Sequence, residues 1–427
     1  MKRKLLALLG FAAAAALAAT AADTDLSARA KRLHASSIVV DTHLDLPYRL
    51  EDTGWVDIGQ RQTTGHVDVP RMKEGGLTLG FFAAYVPASY AEKGGAAKKA
   101  LEQIELIHRL AETTPGLVFA DSIEEVRAAK KAGKIALTIG IEGGHAIEDS
   151  LGAIGSFRRL GVRYMTLTHT NTNNWADSSG SFWRHDFDPA TYRKHGGLSD
   201  LGREVVREMN RVGMMVDVSH VSDETIADVL EVSAAPVFAS HSSCRALSNI
   251  PRNLTDDQIR EIGRRGGIVM VNISSFFLSQ KSADDFVAQR EALRPKIAEM
   301  LEAGKADPEK AAAAVSKLLD DIAYVKADWT VAVDHIERVL RVGGPGSAGI
   351  GSDFDGIEDP PLGLEDISKL PKITEELLRR GHSEEEVRGV LGESFLKFWE
   401  RVERARAKAP ARAPGFPFTK PGAVPAP

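Results

Sequence analysis

Asp41, His43 and Asp45 stand on alternate positions where the apolar run Ile38-Val39-Val40 ends. In an extended strand, residues i, i+2 and i+4 share one face, so these three side chains can meet at a single point. Two carboxylates and an imidazole at one point suit a cation. Taken alone, the triplet is equally a polar strand end facing water. The same chemistry recurs downstream, however. Glu142 closes "IGIEGGH", His169 closes "MTLTHT", His220 closes "VDVSH", His241 closes "FASHSS" and Asp353 closes "GIGSDFDG", each after a short apolar run. His220 and His241 lie roughly one strand-plus-helix unit apart, so only the fold can bring them together.

The elements that carry these residues form a repeating pattern. Eight candidate strands cover 37–42, 77–86, 135–141, 164–168, 213–219, 236–240, 267–273 and 348–353. Helical patterns at 97–112, 121–131, 199–211, 222–231, 255–264 and 328–341 lie between them, with Ser199 or Asp200 and Thr255 as N-caps. Strands that read as continuous apolar runs and alternate with helices indicate a parallel sheet covered by helices. Eight such units point to an α/β fold, a (β/α)8 TIM barrel. No G-x-G-x-x-G follows the first strand, which argues against an open doubly wound sheet. An insertion at 283–323, after the seventh strand, is either a lid or a helical decoration. In a barrel all the named strand ends meet at one mouth. A lone histidine there is ordinarily a hydrogen-bonded structural residue. Six acid or imidazole side chains at six strand ends are hard to explain by solvation, and burying them without a cation is costly. Such a set of histidines and carboxylates suits Zn²⁺ or a similar divalent ion, with ligands enough for two.

Weaker candidates have plainer readings. His145 is either a support for the ligands or a loop residue. The "DFDG" at 353–356 fails as a calcium loop, because Glu358 falls where that loop requires Gly. His66, His185, His195 and His382 lie in polar stretches and are expected to be solvated.

The chain has 427 residues, 43% hydrophobic and 26% charged, with a net charge of −5. These values fit a soluble globular protein, and the absence of a basic stripe excludes nucleic acid as a partner. Lys2, Arg3 and Lys4, the apolar run 5–19 and Ala19-Thr20-Ala21 form a signal-peptide pattern over 1–21. It implies export to the periplasm or outside the cell, with cleavage near Ala21, and it is too short for a transmembrane span. Cys244 is the single cysteine, so no internal disulfide forms. The expected catalytic domain covers 30–405, and a Pro/Ala-rich, disordered tail covers 406–427.

With "DTHLDLP", "GIEGGH", "GVRYMTLTHTNTNNWADS", "VDVSHVSD", "SHSS", "NIPRNLTDDQI" and "GSDFDGI", the strand-end set resembles the membrane (renal) dipeptidase family of zinc peptidases, over roughly residues 35–400. The resemblance implies a binuclear site, two Zn²⁺ per chain, in an amidohydrolase-like barrel. The family's H-x-D motif falls on His43 and Asp45, which leaves Asp41 as a supporting residue. Glu142 would bridge the metals and His220 and His241 would hold the second. Asp353 would be the acid–base residue. His169 and Arg252 would bind substrate, His169 also facing the developing oxyanion. The implied reaction is hydrolysis of dipeptides by a metal-activated water. The alternatives are an amidohydrolase acting on N-acyl amino acids, lactams or lactones, and an inactive binding homologue. Dipeptides are the expected partners, with a second copy of the chain, as a homodimer, the other candidate. Ile273 and Ser274 stand where the family often has an aromatic hydroxyl after "MVN", and "LGESF" (391–395) replaces a common Gly-x-Asn. Substrate preference is where those departures act.

Overall fold

The computed structural model describes residues 25–184, 186–406 and 408. The signal-peptide pattern, His185 and nearly all of the Pro/Ala-rich tail lie outside the described residues. Nine strands form one parallel sheet: β1 (Val40–Leu44), β2 (Leu79–Tyr85), β3 (Leu117–Phe119), β4 (Ile135–Glu142), β5 (Val162–Thr166), β6 (Met215–Asp217), β7 (Phe238–Ala239), β8 (Ile268–Val271) and β9 (Ala348–Ile350). Pairing of β2 with β4 and of β1 with β9 closes eight of them into the expected barrel. These eight coincide with the eight apolar runs of the sequence.

The ninth strand was not expected. β3 pairs only with the start of β4, from Leu117↔Ile135 to Phe119↔Leu137, on the side where β5 begins pairing at Ile139. Three residues between two helices carry no periodicity of their own, so β3 exists because β4 offers a free edge there.

Each barrel strand is buried on both faces, one toward the barrel axis and one toward the helices. That double burial explains the continuous apolar runs. The helices begin where short polar side chains cap them: Ser122, Ser199, Ser222 and Thr255 each accept a backbone N–H, and Thr255 with Gln258 forms a capping box.

The expected elements stop near 353, whereas the structure adds helices Pro371–Arg379 and Ser394–Arg406. The last helix seals the bottom of the barrel. Its Phe395, Phe398 and Trp399 pack with the inward side chains Val40, Leu79, Phe81, Tyr164, Phe238 and Met270. Arg401 Nε donates to the Gly266 carbonyl just before β8 (2.9 Å), which places the helix at the N-terminal ends of the strands. The insertion after β8, the seventh strand of the barrel, forms helices Gln280–Ala303 and Pro308–Asp320. Its Phe286, Leu319 and Tyr324 line the cavity over the mouth, so it acts as a cover over that cavity and not as a remote decoration.

Candidate metal centre

The C-terminal ends of the strands bring together the residues expected there. β1 and β9 are joined beyond their ladder, since Asp353 N donates to His43 O (3.1 Å) and Asp45 N to Phe354 O (2.9 Å). This sets Asp45 and Asp353 side by side. Asp41 points elsewhere: its Oδ1 accepts the Ser352 and His43 amides at 2.9 and 3.2 Å. It fastens the two strand ends and belongs to none of the three groups of possible ligands at the mouth. Glu142 ends β4 between Tyr85 of β2 and Thr166 of β5.

Three overlapping groups result, each with donor atoms within 4.8 Å of one another: His43, Glu142 and His241; Glu142, His169 and His220; His43, Asp45 and Asp353. Glu142 Oε1 lies 3.0 Å from His220 Nε2, 3.3 Å from His241 Nε2 and 3.5 Å from His43 Nε2. His43 Nε2 is also 3.3 Å from Asp45 Oδ2, and it is buried with no hydrogen-bond partner.

Hydrogen bonds behind the imidazoles decide which nitrogen faces the centre. Tyr164 Oη donates to Thr42 O (3.1 Å) and so accepts from His43 Nδ1 (2.8 Å). Ser240 Oγ donates to Asp217 Oδ2 (2.6 Å) and so accepts from His241 Nδ1 (2.7 Å). Both rings therefore turn an unprotonated Nε2 inward, the form that binds a metal. Asp217 is itself fixed by Thr166 Oγ1 and by the Ser219 and Ser240 amides.

The electrostatics agree with a cation at this point. Burial pushes Glu142 upward, but His43, His169, His220 and His241 outweigh it and hold the carboxyl well below its usual range. Burial alone would lower His43, yet Tyr164, Glu142 and Asp45 raise it well above an ordinary imidazole. The field at His43 thus calls for positive charge. Burial pushes His220 and His241 well down, which keeps them neutral. Burial, followed by the Asp45 and Glu142 charges, raises Asp353 well above the carboxylate range against the pull of His43 and Arg252. Orphaned His43 Nε2, three converging imidazole nitrogens and buried carboxylates form a donor set that fits zinc.

Backbone strain accumulates at the same place. His220 (φ 67°) and Asp353 (φ 65°) are non-glycine residues in the left-handed region, a conformation that costs on the order of 1–3 kcal/mol each and persists only where its surroundings impose it. The His220 carbonyl takes Ser179 N (2.8 Å) and Thr168 Oγ1 (3.0 Å), which hold the turn. Gly356 shows how closely the backbone approaches the carboxylates: a Cβ there would sit 2.2 Å from Asp45 Oδ2 and 2.6 Å from Asp353 Oδ1.

Further polar residues complete the mouth. The cavity of about 310 Å³ is lined by Asp45, Glu142, His169, His220, Arg252 and Asp353 on its polar side. His169 is half-buried, set edge-on to Tyr85 (centroids 4.8 Å), and burial lowers it to about 4. Arg252 is buried over the Phe277 ring (5.2 Å), with Nη1 on Ser242 Oγ (3.2 Å) and Nη2 on His241 O (3.3 Å). Its Nε has no partner, it makes no ion pair among the described residues, and burial lowers it to about 10. Asn272 Nδ2 donates to Asp353 Oδ2 (2.8 Å).

Other histidines have structural places. His145 is buried beside the Pro87 carbonyl (3.3 Å) in the turn after Glu142 and belongs to none of the ligand groups. The solvated reading of His66, His195 and His382 needs correction. Each is half-buried with a hydrogen-bond partner: the Asp355 amide, Asn173 O and Glu337 Oε1 respectively. Sequence reasoning did not find Tyr164, Asp217, Ser240 and Asn272, which support the ligands from behind. They sit inside apolar or serine-rich runs, and only "VDVSH" and "MVN" placed two of them near a strand end.

The model of the membrane dipeptidase family, peptidase family M19, matches residues 27–413. Dipeptidase 3 of Rattus norvegicus is 35% identical over 380 residues, covering 88% of this chain and 67% of that protein. The probable dipeptidase PvdM of Pseudomonas aeruginosa superposes with a TM-score of 0.75 at 24% identity, covering 90% of this chain and 99% of that one, a likeness of fold. A metallo peptidase of Rhodobacter sphaeroides, solved with a phosphinate mimic of the dipeptide L-Ala-D-Ala, superposes with a TM-score of 0.66 at 26% identity, covering 86% of this chain and 100% of that one.

Proposed function

This chain belongs to the membrane dipeptidase family, and from that premise we infer that it is a metal-dependent dipeptidase whose strand-end cluster holds two zinc ions. The observation that carries the reading is Glu142, shared by two of the three ligand groups and surrounded by imidazoles whose backing hydrogen bonds turn Nε2 toward it. In this assignment His43 and Asp45 would hold one ion, His220 and His241 would hold the other, and Glu142 would be available to both. Bound divalent ions supply Lewis-acid polarisation of a carbonyl and a lowered pKa for water.

The chain's own groups do the rest. Asp353 is placed to move the proton: Asn272 holds Oδ2, leaving Oδ1 toward the centre, and its raised affinity for a proton suits delivery to a leaving amine. His169, neutral and on the cavity wall, can donate to an oxyanion. Arg252, with Nε uncommitted and no carboxylate partner of its own, is available to fork onto the substrate's terminal carboxylate. The cavity is at the low end of the ~300–1,000 Å³ usual for ligand sites, which supports a substrate of dipeptide size. The family's dipeptidases disfavour the reading as a hydrolase of N-acyl amino acids, and the complete donor set disfavours an inactive homologue.

Residues 1–21 as a signal peptide, 30–405 as the catalytic domain, 406–427 as a disordered tail, export and a homodimer belong to this same proposal. No helix among the described residues is long and apolar enough to cross a membrane. The test is metal analysis of purified protein alongside hydrolysis of L-Ala-L-Ala, L-Ala-D-Ala and N-acetyl-alanine. About two zinc equivalents, and activity on the dipeptides that is lost to chelator and restored by zinc, are expected. Full activity in metal-free protein would refute the assignment.

A further inference from the structure

Part of the cavity wall is built from rings and carboxylates that belong to none of the ligand groups. Phe276, Phe286 and Tyr324 meet one another with centroids 5.3–6.0 Å apart, and all three line the cavity together with Trp183. Phe286 and Tyr324 come from the insertion that covers the mouth. Behind this wall lies Asp359, buried and held by Ser274 Oγ (2.7 Å), by the Phe276 amide (3.2 Å) and by the Tyr324 hydroxyl. At the rim stands Glu358, exposed and with no hydrogen bond or ion pair among the described residues.

The charges on this wall do not balance. Asp355 is paired with Arg49 (2.9 Å), and Asp45, Glu142 and Asp353 face the metal centre. Glu358 has no such partner, whereas Asp359 is already held by its three hydrogen-bond donors and feels exposed Lys326. Among the described residues Arg252 is the single cationic side chain of Lys or Arg type lining the cavity, and it sits at the other end of the ring series, over Phe277, which stacks on Phe276 (5.4 Å, 30°). Aromatic faces attract cations through their quadrupoles, and an unpaired carboxylate nearby reinforces that attraction. An apolar side chain would use the rings but leave Glu358 unanswered.

We propose that this wall selects dipeptides whose C-terminal residue carries a cationic side chain of lysine or arginine type. The position follows from Arg252: if it holds the terminal carboxylate, as the dipeptidase reading on which this inference rests has it, the side chain of that same residue lies against Phe276, Phe286 and Tyr324. Ser274 belongs to the arrangement. Its hydroxyl holds Asp359, which also bonds the Tyr324 hydroxyl on the segment that leads out of the cover.

The experiment compares the zinc-loaded enzyme on L-Ala-L-Lys and L-Ala-L-norleucine, equal in stem length and differing in charge, and on L-Lys-L-Ala and L-norleucine-L-Ala. kcat/KM for Ala-Lys should exceed that for Ala-norleucine by about tenfold, with no such ratio for the reversed pair. Glu358→Gln and Phe286→Ala should each shrink the ratio. A wild-type ratio near one, a ratio untouched by both variants, or a lysine preference confined to the N-terminal position overturns the inference while Ala-Ala is still cleaved. If no dipeptide is cleaved, the dipeptidase reading falls and this inference falls with it.

Discussion

The two ends of the barrel treat the same kind of inward-facing position in opposite ways. At the bottom, Phe81 and Phe238 meet Phe395, Phe398 and Trp399, and the space is filled by rings from a helix that arrives last in the chain. At the top, His43, Glu142, His220 and His241 converge, all buried, with polar groups behind them. The lower end gains stability from packing that needs no particular charge. The upper end buries charge, which is tolerated only with a compensating cation and a set of hydrogen bonds behind the ligands. Tyr164 spans both. Its ring packs on Phe81 and Phe238 (5.4 Å each) while its hydroxyl orients His43. Gly140 makes room for it, since a Cβ there would lie 2.0 Å from the Tyr164 ring. Function and stability are thus separable by height along the barrel axis, with one residue shared.

Several changes would break or sharpen that separation. Glu142→Ala should have the largest effect, lowering kcat/KM by about 10³-fold or more, since it removes a donor common to two ligand groups; metal analysis should show reduced occupancy, and a fully loaded, active variant would refute the bridging role. Trp399→Ala at the other end should cost ~3–5 kcal/mol of stability, read as a lower melting temperature. Well below that temperature its kcat should match the wild type. A matching fall in kcat would show that the bottom packing reaches the site.

Acid should probe a third place, near the top but outside the cluster. His335 Nδ1 accepts the Cys244 amide (2.9 Å) and its Nε2 donates to Leu278 O (2.9 Å), which locks a neutral ring; burial lowers it from 6.5 to about 4. The folded chain therefore binds fewer protons here than the unfolded chain between those two values. Its contribution is complete above pH 6.5 and is lost as pH falls from there toward 4, by at most about 3 kcal/mol. Denaturant melts of wild type and His335→Gln across that range should show a shallower acid limb in the variant; parallel limbs would remove His335 from the account. Tyr164→Phe should be the mildest. It keeps the ring and removes the acceptor behind His43, so metal affinity should drop ~10–100-fold while stability changes by only about 1 kcal/mol. A large loss of melting temperature with unchanged affinity would place Tyr164 wholly with the bottom layer.

The side chains that converge at the mouth were legible because each strand ends where its apolar run stops, and a histidine or carboxylate at that boundary stands out. Their supports were not legible. Tyr164 reads as one more core aromatic in "YMTLT", and Ser240 as one of several serines. The role of each depends on a partner from another strand, Thr42 and His43 for one and Asp217 for the other. The choice between Asp41 and Asp45 illustrates the same limit. Alternation along the strand allowed both to face the ligands, but the Ser352 amide of the neighbouring strand end claims Asp41, and the turn into helix Leu46–Asp52 swings Asp45 back toward His43.

What the sequence by itself determined was periodic and local: eight apolar runs, the helices between them, their caps, and a polar residue of the right type at six of the strand ends. Such features depend on neighbours within a few positions, so the order of residues is enough to specify them. The tertiary structure alone decided which nitrogen of each histidine faces inward, that the late helix Ser394–Arg406 seals the barrel floor, and that the insertion lays Phe286 and Tyr324 over the mouth. Each of these is a contact between segments far apart in the chain, where steric fit and hydrogen-bond geometry select one partner among many that the sequence leaves equally open.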